Sequence, residues 1–237
     1  VSDWSSDVCS SDLFVLTPSQ ALAEGAVLVH LQPNGYRKTM TDVYPEAGTN
    51  IASRYKIRKG DVRQAFEKCD VIVRERFYLP PSDHLAMEVR SAQAEISADG
   101  KVLITTSSQA PYAVRRQIAE AFMIPAGQIQ VWVPFVGGGF GGKVPVFLEI
   151  LAFLASRSVG GRPVRITLPR EQDMAGAPRR IGLEADIKIG ADREGIIRAA
   201  EMTYLLDCGA YADNSPYMAK AIAVDCTGPY NIENVSC

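Results

Sequence analysis

The spacing of apolar positions changes several times along the chain, and each change marks an element. Residues 71–78 alternate, with Val71, Val73 and Phe77 set against Ile72, Arg74 and Arg76, a strand period that Pro80-Pro81 stops. Upstream, Gly60-Asp61 opens a helix in which Asp61 is placed to cap and Val62, Ala65 and Phe66 share a face. Residues 88–97 and 101–106 are strand-like runs flanking Ala98-Asp99-Gly100, and Asp-Gly between such runs predicts a hairpin. Ala113, Val114, Ile118, Ala121 and Phe122 recur at helical spacing, with Pro111 suited to the first turn. Residues 128–136 read as a β run and 163–168 as a short strand. Residues 146–155 are apolar all round, which predicts a buried helix. Residues 181–189 and 196–206 read as a second strand pair around Asp192-Arg193-Glu194-Gly195, and 217–224 as a further helix. Helices and strands mix without strict alternation, so the expected class is α+β, with mixed sheets and packed helices rather than a doubly wound sheet.

Composition narrows the function classes. A chain of 237 residues buries a core without needing disulfides or a structural metal. Its 47% hydrophobic content excludes general disorder, and 25 basic against 27 acidic residues exclude a strongly basic nucleic-acid surface. The five cysteines include no Cys-x-x-Cys pair, which argues against a zinc ribbon or an iron–sulfur cluster on this chain. Their odd number and wide spacing read as reduced thiols of a cytoplasmic protein. Only His30 and His84 are present, too few for a multi-histidine metal site. No apolar run approaches the ~20 residues of a membrane span.

The segments before residue 60 read differently from the rest. Residues 1–13 repeat Ser-Asp without any helical or strand period, and they resemble translated sequencing-adapter sequence. They are expected to be a non-native leader, which sets Trp4 and Cys9 aside. Residues 14–59 contain an apolar stretch at 26–31 and then turn formers, Pro33-Asn34-Gly35, Pro45 and Gly48. They read as the end of a preceding α/β domain and a linker, with the main domain expected at 60–237.

Residues 137–143, Gly-Gly-Gly-Phe-Gly-Gly-Lys, carry the most chemical information. Ordering five glycines costs conformational entropy, and the usual return is a backbone that approaches a ligand and offers it N–H groups. Phe140 argues against a mere linker, where Ser is the usual companion of Gly. Two phosphate motifs overlap the loop. Gly137, Gly142 and Lys143 meet the nucleotide-triphosphate pattern up to its last position, where Val144 replaces the Ser or Thr that would hold magnesium. Leu205-Leu206-Asp207 is its candidate second magnesium motif. Gly137, Gly139 and Gly142 meet the dinucleotide fingerprint, but Arg162 stands where an acidic residue belongs about 20 positions on.

A longer comparison matches better. Val136 through Lys143 closely resembles the glycine signature of the molybdenum hydroxylases, the xanthine dehydrogenase and aldehyde oxidase family. The likeness continues in order through the chain. It includes Gly60-Asp61 with Ala65-Phe66 and Asp70, His84-Leu-Ala-Met87-Glu88, Ser108-Gln109 and Ile124-Pro125. Further on it includes Arg162-Pro163-Val164, Asp173-Met174, Gly209-Ala210-Tyr211, Gly228-Pro229-Tyr230 and Asn234-Val235. It spans about residues 20–237, and the ordered set is far more specific than any one member.

The resemblance implies the first molybdopterin-binding domain of the xanthine dehydrogenase type, truncated at its C-terminus. It implies molybdenum on a molybdopterin dithiolene, with a cytosine dinucleotide form open for a bacterial source. It also implies oxidation of an N-heterocycle or aldehyde with oxygen from water. No direct protein ligand to the metal is expected. Iron–sulfur clusters and FAD are expected on other domains or subunits, in a hetero-oligomer with no nucleic-acid or membrane partner. Gln109 aligns with the glutamine that hydrogen-bonds a molybdenum oxygen ligand. Phe140 and Gly141 align beside the metal's ligand sphere, while Gly138, Gly139 and Gly142 give the backbone its close approach. Lys143 is open between neutralising nearby negative charge and starting a solvated helix. Val144 departs from purine-oxidising members, where glutamate orients the substrate, so xanthine itself is not the expected substrate. Glu88 reads as a structural carboxylate and His84 as a packed, hydrogen-bonded histidine. The family's catalytic glutamate lies beyond Cys237, so the chain by itself is expected to be inactive. The alternative from the residues alone is a phosphate-loop nucleotide-binding domain using 137–143.

Overall fold

The computed structural model of the chain describes residues 15–35, 43–209 and 214–237. The expected leader at 1–13 lies outside the described residues, as do Ala210 and Tyr211 of the Gly-Ala-Tyr motif. In chain order the helices are α1 (Pro18–Ala21), α2 (Val62–Glu67), α3 (Pro111–Phe122), α4 (Leu148–Ser158), α5 (Arg170–Gly176) and α6 (Ser215–Val224). The strands are β1 (Arg58–Lys59), β2 (Val71–Leu79), β3 (Ser91–Ile96), β4 (Val102–Thr106), β5 (Ile129–Trp132), β6 (Val164–Thr167), β7 (Gly182–Ala191), β8 (Ile197–Asp207) and β9 (Asn234–Ser236). The class is α+β, with two mixed sheets, one in each of two compact units.

The first unit comprises the described residues up to Pro81 together with Ile181–Cys237. Its sheet runs β1-β9-β8-β7-β2. The β7–β8 hairpin turns where the sequence indicates, with Asp192 Oδ1 accepting from the Ile196 N–H at 2.9 Å. Asp61 caps α2 by accepting from the Gln64 N–H at 3.0 Å, and Ala65 and Phe66 bury against Ala199. The alternation of β2 does not sort into an inner and an outer face, because every residue of the strand is exposed. It is an edge strand of the described sheet, paired to β7. Arg74 and Arg76 reach across it to Asp186, at 2.7 and 3.0 Å, and their hydrogen bonds hold that carboxyl down at about 2.

The second unit, Ser82–Arg180, has a sheet of order β5-β4-β3-β6. β3 and β4 form the expected hairpin, with Ala94 opposite Ile104 and Ile96 opposite Val102, and Ala92, Ala94, Val102 and Ile104 are all buried in the core. β4 and β5 are parallel, a pairing that requires a crossover, and α3 supplies it with Val114 and Ile118 in the core. The run expected at 128–136 is shorter in the structure. It ends at Trp132, and Pro134 beyond it has no N–H for a ladder. The helix expected at 146–155 is α4, and it is not buried all round. Leu151 and Leu154 are exposed, while Glu149 and Ser156 are buried. The polar pair is tolerated inside because it is bonded: Glu149 accepts from Thr106 Oγ1 and the Phe147 N–H, and Ser156 donates to the Arg162 carbonyl. Beyond the carboxyl ends of the parallel neighbours β4 and β5 lie Ser107–Gln109 and the glycine loop.

Candidate active site

The segment 84–88 lies along the glycine loop, touching it with every second residue. A Cβ added at Gly137 would meet Glu88, one at Gly138 would meet Ala86, and one at Gly142 would meet His84. The intervening Leu85 and Met87 are exposed, Met87 to 93%. Gly138 and Gly141 have φ of +96° and +93°, and Phe140 between them has φ of +52° with its side chain largely exposed. Holding a phenylalanine in this left-handed region costs on the order of 1–3 kcal/mol.

Gln109 follows β4 and is stitched to the end of the loop. Its backbone N–H donates to the Lys143 carbonyl at 2.9 Å. Its side-chain Oε1 accepts from the N–H groups of Gly141 and Lys143, both at 3.1 Å. Two converging donors require the oxygen at that position, which settles the orientation of the carboxamide. Among the described residues its NH2 has no hydrogen-bond partner. Gly139 packs so closely that a Cβ there would overlap Gln109 Oε1. The N–H groups of Gly138, Gly139 and Phe140 also have no partner among the described residues. Gly139 is buried, and buried N–H groups without a partner are rare. The sequence-indicated residues Gln109 and Gly138–Gly142 therefore come together around a set of uncommitted donors, which suits an anionic or oxo group.

Glu88 and Lys143 make the charged part of the site. Glu88 Oε2 accepts from Lys143 Nζ and from the Gly137 N–H, both at 2.7 Å. Burial pushes the Glu88 carboxyl up, but the Lys143 hydrogen bond and the Gly137 N–H outweigh it and hold the group below its ordinary value. Lys143 is neither solvated nor at a helix start. Its side chain is 3% exposed, and α4 begins only at Leu148. Of the two readings open from sequence, it neutralises a carboxylate.

That geometry also counts against the nucleotide-triphosphate alternative. The lysine such a loop needs on a phosphate is committed to Glu88, and the loop amides do not cap a helix. His84 is packed against Gly142, but its Nδ1 is buried without a hydrogen-bond partner, contrary to the expectation of a bonded histidine. Sequence reasoning missed Arg90. Its guanidinium donates to the Gly142 carbonyl and to Asp173 on α5, both at 2.6 Å. The only signal was an arginine immediately before a strand run whose apolar positions are mostly small, Ala92 and Ala94. Among the described residues no three His, Cys, Asp or Glu side chains group to hold a metal ion. Among them also no helix is long and apolar enough to cross a membrane.

The molybdopterin cofactor-binding domain family matches residues 43–237. The xanthine dehydrogenase molybdenum-binding subunit of Escherichia coli O157:H7 is 30% identical over 207 residues, which are 87% of this chain and 25% of that protein. The aldehyde oxidoreductase of Desulfovibrio gigas superposes with a TM-score of 0.79 at 26% identity, covering 93% of this chain and 23% of that one. Quinoline 2-oxidoreductase of Pseudomonas putida 86 gives 0.72 at 29% identity, covering 80% and 25%. The chain thus spans about a quarter of the length of these relatives. The match runs through the glycine loop, Gln109 and the segment 84–88. The chain belongs to the xanthine dehydrogenase and aldehyde oxidase family of molybdenum hydroxylases and carries that family's molybdopterin cofactor-binding domain.

Proposed function

We propose that this chain is the cofactor-holding part of a hydroxylase that oxidises an N-heterocycle or an aldehyde, other than xanthine, with water as the oxygen source. The observation that carries the reading is the fixed carboxamide of Gln109, tied to the loop through Oε1 with its NH2 left free. When bound, the molybdenum cofactor supplies the two-electron redox chemistry. Gln109 would help hold that group by donating from its NH2, adding a hydrogen bond without adding charge. The free N–H groups of Gly138, Gly139 and Phe140 face the anionic cofactor. Gly141 and Gly142 keep the backbone close, and the Phe140 ring gives the site an apolar wall.

Partners follow from the same reading. Iron–sulfur and flavin groups sit on other domains or subunits, within a hetero-oligomer, and the pterin is of the cytosine dinucleotide form in a bacterial source. The protein acts in the cytoplasm, in keeping with Cys69, Cys208, Cys226 and Cys237, which are all free thiols. Elemental and pterin analysis of the purified holoenzyme tests the assignment. About one molybdenum per chain is expected, with Gln109→Ala lowering kcat by about 100-fold or more, as for loss of one preorganised donor. Magnesium-dependent ATP binding by a molybdenum-free protein would overturn it.

A further inference from the structure

We propose that Glu88 and Lys143 are positioning residues for Gln109, acting together as a clamp that decides which end of its carboxamide faces the cofactor. The inference rests on the role proposed above for Gln109. One oxygen, Glu88 Oε2, holds both ends of the loop, through the Gly137 N–H and Lys143 Nζ at 2.7 Å each. The residue anchored in this way is also the one whose backbone holds Gln109. The Lys143 N–H donates to Gln109 Oε1 at 3.1 Å, and its carbonyl accepts from the Gln109 N–H at 2.9 Å and from Ser108 Oγ at 3.3 Å.

Packing alone does not call for a lysine here. Its side chain is 3% exposed, and a buried ammonium is tolerated only when paired. A methionine would fill similar space without that need. What the ammonium adds is a fixed position for residue 143 relative to Glu88. If that anchor is lost, Gln109 Oε1 loses one of its two donors and the carboxamide is free to rotate. The two ends of a carboxamide have opposite hydrogen-bonding sense, so rotation replaces a donor by an acceptor at the cofactor.

The test uses the holoenzyme with Glu88→Gln, Lys143→Met, the pair of these together, Gln109→Ala, and Glu88→Gln combined with Gln109→Ala. Molybdenum content, kcat, KM and the paramagnetic signal of the reduced metal are measured for each. The clamp predicts molybdenum content near wild type in Glu88→Gln, kcat lower by about 10- to 100-fold, and KM little changed. Its signal shifts in the same direction as that of Gln109→Ala, and adding Glu88→Gln to Gln109→Ala costs little more. Where a single variant does not load, the paired variant, which leaves no lone buried charge, is read instead. Loaded variants with wild-type kcat and an unshifted signal overturn the clamp, as do losses that add fully to that of Gln109→Ala. A wild-type enzyme without molybdenum would instead sink the functional assignment itself, which separates the two failures.

Discussion

The Arg90 guanidinium meets the Asp173 carboxylate at 2.6 Å with both side chains nearly out of solvent, 11% and 4% exposed. The other arm of Arg90 holds the Gly142 carbonyl, so α5 and the glycine loop share one cation. Removing one partner of such a buried pair leaves the other uncompensated. Asp173→Ala is therefore expected to destabilise the 82–180 unit by about 3–5 kcal/mol. Urea unfolding followed by Trp132 fluorescence in a Trp4→Phe background measures it. Arg90→Lys is expected to fail as a conservative replacement, because one ammonium cannot reproduce a fork aimed at two acceptors.

The close approach of loop and side chains gives a second expectation. A Cβ at Gly139 would overlap the Gln109 carboxamide, and one at Gly142 would lie 2.7 Å from His84 Nδ1. Gly139→Ala and Gly142→Ala should each cost about 1–3 kcal/mol and reduce molybdenum loading. Gly127, with nothing within 4 Å of the added carbon, is the control, and Gly127→Ala should load normally. Equal loading in all three variants would show that the loop is slack.

The elements read correctly were those whose local pattern and tertiary setting agree. α3 has its period, its first-turn proline and two residues in the core, Val114 and Ile118. The β3–β4 hairpin has its turn residues and its alternation. Reading failed where burial depended on a distant partner. Nothing local says that Glu149 is buried, since Thr106 Oγ1 supplies its hydrogen bond from another element. Nothing local says that Lys143 is buried either, since Glu88, which neutralises it, lies in a segment far back in the chain. The candidate site residues could be picked out because glycines and a carboxamide stood in a recognisable order. Arg90 was not, because its two partners come from the loop and from α5, a helix with no pattern of its own in the sequence.

The depressed Glu88 carboxyl makes the loop acid-sensitive. Burial alone would raise this group, but its bonds to Lys143 and Gly137 prevail, so its folded value lies below that of an ordinary glutamate. A group depressed on folding contributes stability that is fully present above its unfolded value and is lost as pH falls through the folded one. The difference in thermal midpoint between wild type and Glu88→Gln should therefore be constant above about pH 5.5 and shrink below about pH 4.5. A difference that stays constant down to about pH 3 would mean that the carboxylate charge does not stabilise the loop.

Val144 bears on substrate choice. It directly follows the buried Lys143, and its N–H is used internally, donating to the Gly141 carbonyl at 3.3 Å. An isopropyl group offers a purine ring no hydrogen bond, whereas the resemblance places a glutamate at this position in purine-oxidising members. The holoenzyme is expected to oxidise a simple N-heterocycle or an aldehyde with a kcat/KM well above that for xanthine. Val144→Glu should raise kcat/KM for xanthine by about 10- to 100-fold, the equivalent of the roughly 1.5–3 kcal/mol of a hydrogen bond to a charged group. It should leave an unsubstituted aldehyde little changed or worse, because that substrate has no second polar edge to meet the new carboxylate. Steady-state kinetics with xanthine, quinoline and benzaldehyde separates the outcomes. A wild-type enzyme that already prefers xanthine, or a Val144→Glu enzyme with unaltered ratios among the three, would remove position 144 from the specificity determinants.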